Sequence, residues 1–242
     1  MLRAFLFLTL LVALATAHAS ESLKLDEAPI DSRDAASIQR GARVFVNYCL
    51  NCHSATAMRY NRLEDLGLTP AQIRDNLMFT ADKPGAPMSV AMRPKDAQEW
   101  FGVPPPDLSV ISRSRGPDWL YTYLRSFYRD DSTVTGWNNL VFPNVGMPHV
   151  LWELQGVRTL KVEERKGAHG QEHVSTLAVA TPGTLDARAY DALVADLVNY
   201  LIFMGEPARQ ARMQIGYVVL IFLGVLFVPV YLLKLDYWKD VH

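Results

Sequence analysis

Two cysteines and a histidine form one short motif in the first quarter of the chain. Residues 49–53 are Cys-Leu-Asn-Cys-His, the C-x-x-C-H pattern that attaches c-type haem. On a helical turn, thiols three positions apart lie on one side and can each reach a haem vinyl group, while the adjacent imidazole can point at the iron. The motif therefore predicts one haem c, attached covalently through Cys49 and Cys52, with His53 as an axial ligand.

A redox-active cysteine pair and half of a zinc site are the alternative interpretations of this motif. A thioredoxin-like pair is expected in a βαβ context, and zinc needs two further ligands at suitable spacing. The sequence offers neither pattern, so haem attachment is the prediction.

Several histidines and methionines are candidates for the opposite axial position on the iron. Five are disfavoured because they lie beyond a predicted membrane span, in a polar turn, or on helices where methionine usually fills the core. These five are His242, His169, His173, Met204 and Met213.

Met147 has a more favourable setting than those five residues. It stands in residues 144–148, where glycine and proline favour an extended backbone that can present a thioether. His149 would instead give a bis-histidine haem of lower potential. Met88 and Met92 are further candidates, and the residues alone leave these alternatives open.

The elements that must position the haem motif are predicted from apolar spacing and proline content. Asp34–Asn47 has apolar residues at helical spacing, which predicts an amphipathic helix leading into Cys49. Leu68–Phe79 predicts a short helix with Pro70 near its start. The proline-rich stretch Lys83–Asp107 is expected to be mostly loop or extended.

The second half of the chain combines helices with irregular segments. Asp118–Tyr128 predicts a helix rich in aromatic residues, and Gly136–Pro148 predicts an irregular stretch. Leu151–Val179 alternates apolar and polar residues around a polar turn at Gly167–Gly170, which indicates a β-hairpin. Asp186–Met204 has an apolar face at helical spacing and predicts a long helix. The expected fold class is mainly α with a small β-hairpin insertion.

Both ends of the chain have the character of membrane-directed segments. In residues 1–19 one basic residue precedes an apolar run that ends in Ala-His-Ala, the pattern of a cleaved export signal. Residues 215–233 are nineteen positions without a charge, which as a helix would cover about 28 Å of bilayer. The predicted division is a signal peptide at 1–19, a periplasmic haem domain at 20–208, a transmembrane anchor at 209–234 and a cytoplasmic tail at 235–242.

Composition excludes some classes of function. The 242 residues carry 24 Lys and Arg against 25 Asp and Glu, a formal net charge of −1. A nucleic-acid-binding protein normally shows a strong basic excess, so we expect no nucleic-acid partner. The chain has only two cysteines, both used by the haem motif, so it is not a disulfide scaffold.

The order of these features resembles the cytochrome c1 family, the haem subunits of the cytochrome bc1 complex (ubiquinol–cytochrome c reductase). The resemblance covers essentially the whole chain after the export signal, and the Pro-Pro-Asp-Leu-Ser run with a single C-terminal anchor is its most specific part. Besides the haem motif it rests on Arg40-Gly41 before Val44-Phe45, Met92-Arg93-Pro94, Pro105-Pro106-Asp107-Leu108-Ser109, Arg113 and Arg115, Gly146-Met147, Glu206-Pro207 and the C-terminal span.

The resemblance implies a fold and further site residues. The family fold is a modified class I cytochrome c domain with one C-terminal transmembrane helix. Met147 becomes the favoured ligand opposite His53. Arg115 is implied to pair with a haem propionate, with Arg113 as the alternative, and Trp119 stands where some members have a tyrosine that contacts the other propionate.

The resemblance also implies a function in electron transport. The chain would take one electron from the Rieske iron–sulfur protein and pass it to a soluble cytochrome c, with its tail helix against the cytochrome b subunit and membrane lipid. Alone it is expected to be non-catalytic, because quinol chemistry belongs to cytochrome b. The acidic insertion and extra cysteines of mitochondrial members are missing, so the expected location is a bacterial inner membrane, with the haem domain on the periplasmic side.

Two other functions remain possible at this point. The chain could be a stand-alone, membrane-anchored c-type cytochrome that feeds another oxidase or reductase. It could also be a haem enzyme such as a peroxidase, or a gas sensor, but either would need an open or labile sixth coordination position.

Overall fold

The computed structural model describes residues 24–167 and 170–240. The predicted signal peptide at 1–19 lies outside these residues, as do His169 and His242. In chain order the α-helices are α1 (Ala35–Val44), α2 (Pro70–Asn76), α3 (Pro94–Phe101), α4 (Ile111–Arg115), α5 (Pro117–Arg125), α6 (Trp152–Gln155), α7 (Ala187–Gly205) and α8 (Arg209–Trp238).

The strands of the described residues form three separate antiparallel pairs, β1 with β2, β3 with β4, and β5 with β6. Their bounds are β1 (Ala55–Arg59), β2 (Pro87–Met88), β3 (Phe127–Arg129), β4 (Trp137–Asn139), β5 (Gly156–Gly167) and β6 (Gly170–Pro182). The mainly helical class and the β-hairpin insertion predicted from the sequence are both confirmed, the hairpin being β5–β6.

Helices α1 and α7 pack closely and form the centre of the core. A Cβ atom on Gly41 would lie 2.0 Å from the Asp196 carbonyl oxygen, so only glycine allows this approach. The Arg40 guanidinium binds both carboxylate oxygens of Asp196 at 2.6 and 2.8 Å. Tyr200 of α7 is fully buried against Phe45, with ring centroids 5.3 Å apart. These contacts fix the segment that leads into the haem motif.

The predicted helix over Asp34–Asn47 is present, but it ends in a π-helical turn, which is wider than an α-helical one. Asp34 caps α1, its carboxylate accepting from the Ser37 backbone N–H at 2.9 Å. After α1 the backbone continues as a π-helical turn, Phe45–Cys49. Such turns occur frequently at functional sites, and this one delivers Cys49 to the cavity described below.

One helix was missed within the proline-rich stretch. Most of Lys83–Asp107 is irregular as predicted, but α3 occupies Pro94–Phe101. Proline is well tolerated at the first helical position, where its missing N–H has no partner to lose. Arg93 adds an ion pair to Asp96 at 2.7 Å, and Gly102 ends the helix with a φ of +77°.

The C-terminal helix α8 is long and apolar enough to cross a membrane. None of its most apolar stretch is buried against the other residues that the structure describes. The helix runs for 30 residues, about 45 Å at the usual rise per residue.

Candidate functional site

A mostly apolar cavity of about 390 Å³ lies beside α5 and α7. This volume falls in the range of pockets that hold small-molecule cofactors. Its walls bring together all six residues that the sequence nominated: Cys49, Cys52, His53, Arg115, Trp119 and Met147. The remaining walls are mainly aliphatic and aromatic side chains and a run of prolines.

His53 is buried in one wall of the cavity, and one of its ring nitrogens is hydrogen-bonded to a backbone carbonyl group. Its Nδ1 lies 2.8 Å from the Pro106 carbonyl oxygen. Because a carbonyl can only accept, Nδ1 carries the proton and Nε2 keeps its lone pair. Burial lowers the pKa of the imidazole, although the Pro106 carbonyl and the Asp107 carboxylate act in the opposite direction. A neutral imidazole whose Nδ1 donates a hydrogen bond in this way can bind a metal through Nε2.

The two cysteines are placed for attachment rather than for thiolate chemistry. Burial, with a smaller effect of Cys52, raises the pKa of the Cys49 thiol to about 12. Burial also raises the pKa of Cys52. A redox pair needs a readily formed thiolate. Among the described residues no group of three or more His, Cys, Asp or Glu side chains is arranged to hold a metal ion, as a zinc site would require.

The Pro-Pro-Asp-Leu-Ser run is bound to the residues that follow His53. The Asp107 carboxylate accepts from the backbone N–H and the hydroxyl of Thr56, each at 2.8 Å. It also accepts from the Ser109 backbone N–H at 2.8 Å. Burial tends to raise the pKa of Asp107, but the hydrogen bonds from Ser109 and Thr56 outweigh it and hold the pKa below its usual value. This network keeps the Pro106 carbonyl against His53.

On the opposite side, two buried asparagines shape the loop that carries Met147. The Asn139 side-chain oxygen accepts from the backbone N–H groups of Val141 and Phe142 at 2.9 and 3.1 Å. The Asn138 side-chain oxygen accepts from the backbone N–H of Asn144 at 2.8 Å. Asn144 itself has a φ of +59°, in the left-handed region. Side-chain amides therefore replace the backbone ladder that this loop lacks.

Gly146 allows the Met147 loop to approach the proline-rich segment. A Cβ atom at Gly146 would lie 2.8 Å from a methyl group of Val103 and 3.1 Å from the Phe101 carbonyl oxygen. The glycine that precedes Met147 is thus required by space rather than by its own φ angle.

Met147 contacts a side chain that the sequence analysis did not select. The Tyr123 hydroxyl lies 3.4 Å from the Met147 sulfur. Burial raises the pKa of Tyr123. The tyrosine could have been noticed because it follows Trp119 by four positions, the spacing that stacks two side chains on a helix.

The other candidate ligands that the structure describes do not line the cavity. They are Met88, Met92, His149, Met204 and Met213. Met88 is fully buried in the core, where its sulfur accepts from the Tyr200 hydroxyl at 3.3 Å. His149 is buried with its ring stacked on Phe127, and burial lowers its pKa to about 4. Met88 and His149 are thus packed in the interior, away from the cavity.

Arg115 and Trp119 lie together at the cavity wall. The Arg115 guanidinium carbon is 5.0 Å from the centre of the Trp119 ring and 5.8 Å from that of Phe142. Arg113, the alternative partner for a propionate, is exposed and lies outside the lining. The site residues therefore fit a haem: apolar walls, two thiols, an imidazole with a free Nε2, a thioether and a cation.

Comparison with known proteins identifies the family. The sequence profile of the Cytochrome C1 family matches residues 26–241. The chain is 50% identical over 219 residues to cytochrome c1 of Allochromatium vinosum, with 90% of each chain covered. It is also 50% identical over 239 residues to the ammonia monooxygenase gamma subunit of Nitrosomonas europaea, with 98% of each chain covered.

A more distant relative supports the same assignment. The chain is 29% identical over 240 residues to cytochrome c1 of Rhodospirillum rubrum, covering 86% of this chain and 83% of that one.

The family binds a covalent c-type haem, and Cys49 and Cys52 are the two cysteines that fit its attachment motif. A stand-alone carrier is accordingly not favoured. The chain belongs to the cytochrome c1 family and is the electron-transfer haem subunit of a bacterial cytochrome bc1 complex.

Proposed function

We propose that this chain takes one electron from the Rieske iron–sulfur protein and passes it to a soluble cytochrome c, with His53 and Met147 as the axial ligands of its haem. The observation that carries this proposal is that both side chains line the same apolar cavity as the two attachment thiols. When bound, the haem supplies a one-electron Fe(III)/Fe(II) couple. With both axial positions occupied, transfer would be outer-sphere, which excludes peroxidase chemistry.

His53 would serve as the fixed ligand. The hydrogen bond from Nδ1 to the Pro106 carbonyl orients the ring and makes Nε2 a better donor. Because Asp107, the residue after Pro106, is bound to Thr56, the segment that carries this carbonyl is fixed, and the imidazole would keep its orientation when a bound haem changes oxidation state. Small reorganisation favours rapid electron transfer.

Met147 would set the redox range of the site. A neutral thioether is a weaker donor to Fe(III) than a second imidazole, so histidine–methionine ligation raises the potential relative to bis-histidine ligation. A high potential is suited to an acceptor that receives electrons from an iron–sulfur protein. The exclusion of His149 from the cavity lining supports this ligand set.

Arg115 and Trp119 would bind the haem propionates. A guanidinium at the wall of an apolar cavity can form charge-assisted hydrogen bonds to a carboxylate. The Trp119 indole N–H can donate one hydrogen bond to the other propionate. Both would offset the cost of placing carboxylates beside apolar walls.

The membrane arrangement follows from the ends of the chain. Residues 1–19 would direct export, which leaves 20–208 on the periplasmic side, 209–234 in the bacterial inner membrane and 235–242 in the cytoplasm. Helix α8 supports this arrangement because its apolar surface has no partner among the described residues. Its partners would be the cytochrome b subunit and lipid.

The experiment that tests the proposed function is a visible spectrum of the complex purified in mild detergent through a tag on this chain, before and after addition of ubiquinol. We expect b-type bands to co-purify and ubiquinol to reduce the c-type haem, with reoxidation by added soluble cytochrome c. A preparation that retains b-type bands but whose c-type haem stays oxidised with ubiquinol would contradict the proposal. A complex inhibited at the quinol site is the matched control.

A further inference from the structure

We propose that the Tyr123 hydroxyl tunes the reduction potential of this cytochrome by donating a hydrogen bond to the sulfur of Met147. The inference rests on the proposed ligand set and adds to it a positioning residue that acts through Met147. It assigns a role to a partly buried tyrosine whose hydroxyl the proposed function does not use.

The contact itself fixes which atom donates. The Tyr123 oxygen and the Met147 sulfur are 3.4 Å apart, and a thioether sulfur can only accept. No other hydrogen bond of this hydroxyl is found among the described residues. A thioether has two lone pairs, so a sulfur that binds iron through one of them can still accept from the hydroxyl through the other.

The ring that carries this hydroxyl packs against two other aromatic rings. Trp119 stacks on Tyr123 with ring centroids 4.7 Å apart and planes 11° apart. Phe127 packs edge-on against Tyr123, with ring centroids 5.0 Å apart. Phe127 also stacks on His149 at 4.8 Å. Since His149 lies two residues after Met147, one set of stacked rings fixes both the hydroxyl and the loop that presents the sulfur.

The hydrogen bond has a defined electronic consequence. A donor at the sulfur withdraws electron density, which makes Met147 a weaker ligand. The oxidised iron has the higher charge and depends more on ligand donation, so it loses more stabilisation than the reduced iron does. Tyr123 therefore raises the potential, and its removal is expected to shift the Fe(III)/Fe(II) equilibrium about tenfold toward Fe(III), or about 59 mV for one electron.

The test compares two tyrosine variants of the intact complex by potentiometric titration of the c-type haem. Tyr123→Phe keeps the stacked ring and removes only the hydroxyl, so we expect the potential to fall. Tyr121→Phe is the matched control, because Tyr121 lies on the same helix, is buried, and does not line the cavity. We expect its potential to equal that of the parent. A Tyr123→Phe potential equal to the parent value would overturn the inference.

A second readout separates an electronic role from a merely structural one. Imidazole added to the ferric protein competes with Met147 for the iron. If the hydroxyl weakens the sulfur as a donor, Tyr123→Phe binds imidazole several-fold less tightly than the parent does. If the hydroxyl only braces the loop, the variant binds imidazole more tightly, and the inference is wrong. The sulfur-to-iron charge-transfer band of the unmodified ferric protein is checked first, because its absence would overturn the ligand set of the proposed function instead.

Discussion

The two walls of the haem cavity are built in different ways. The His53 wall comes from one continuous turn after α1, and its imidazole binds a backbone carbonyl of a proline-rich segment. The Met147 wall is an irregular loop whose backbone N–H groups bind mainly the side-chain amides of Asn138 and Asn139. The histidine wall is held by covalent attachment, by the hydrogen bond to a backbone carbonyl and by the Asp107 carboxylate, and the methionine wall by buried side-chain amides.

This difference indicates where the site is fixed and where it is adjustable. The histidine side determines that haem is bound at all, because the thiols and the imidazole share five consecutive positions. In the proposed ligand set the methionine side would determine what the iron does, because ligand strength would depend on a loop and on the hydroxyl of Tyr123. Changes to the first wall should remove the cofactor, whereas changes to the second should retain it and alter its properties.

The largest effect is expected from removing both attachment thiols. In Cys49→Ser combined with Cys52→Ser, no thioether bond can form, and covalent haem should be lost completely. The measurement is haem staining of the chain after denaturing electrophoresis, with an antibody to confirm that the chain is present. A stained band of normal intensity would contradict the account, because haem attachment would then not depend on the cysteines of the histidine wall.

A large effect on the other wall is expected from Asn139→Ala. Asn139 is fully buried, and its amide supports both the loop at Val141 and Phe142 and the end of α5 at the Tyr123 carbonyl. Its loss should lower the free energy of unfolding by about 3 kcal/mol. It should also let imidazole displace Met147 from ferric haem about tenfold more readily, since the loop is less well fixed.

Asn139→Ala should keep its covalent haem, because the substitution changes only the methionine wall. Unfolding is followed by guanidinium titration of the detergent-solubilised protein, and displacement by imidazole titration. Asn76→Ala, at an exposed asparagine at the end of α2, is the control and should change neither quantity. Unaltered imidazole affinity in Asn139→Ala would show that the amide does not hold the Met147 loop.

A smaller effect is expected from Asp107→Asn on the histidine wall. The substitution removes the charge from hydrogen bonds to Thr56 and Ser109 and should lower the free energy of unfolding by about 1 kcal/mol. Imidazole affinity should not change, because Met147 is held by the other wall. A tenfold change in imidazole affinity would contradict this separation.

The effect of Asp107→Asn should also depend on pH. The folded-state pKa of Asp107 lies below its usual value, so its ionised form stabilises the protein fully above the ordinary aspartate pKa of about 3.9. That stabilisation is lost as the pH falls through the folded-state pKa. The parent and the variant should therefore differ at pH 7 and converge in acid, whereas a difference that grows in acid would contradict the account.

The sequence was sufficient for the features that depend on neighbouring residues. The haem motif and the apolar tail helix are each encoded in one segment, and the hairpin has a simple alternating pattern, so spacing alone predicts them. The family resemblance added Arg115 and Trp119 and favoured Met147 among the candidate ligands, and the structure brings all three to the cavity wall. The sequence does not predict helix α3, because a high proline content favours loops, although Pro94 occupies the first helical position.

The features that the sequence could not provide all depend on contacts between distant segments. Tyr123 and Met147 are 24 positions apart, and His53 and Pro106 are 53 apart. Residue type alone does not distinguish a tyrosine that faces a ligand from a tyrosine that fills the core. Likewise, the selection of Met147 over Met88 depends on which methionine the fold buries under Tyr200.

The central claim, that the Met147 wall supplies the sixth ligand, is tested most directly by Met147→Leu beside Met88→Leu. Both exchanges remove a thioether at nearly constant volume, one at the cavity and one in the core. We expect Met147→Leu to keep covalent haem, lose the sulfur-to-iron charge-transfer band and bind carbon monoxide when reduced, while Met88→Leu retains the band and does not bind carbon monoxide. A Met147→Leu protein that retains the band would contradict the account.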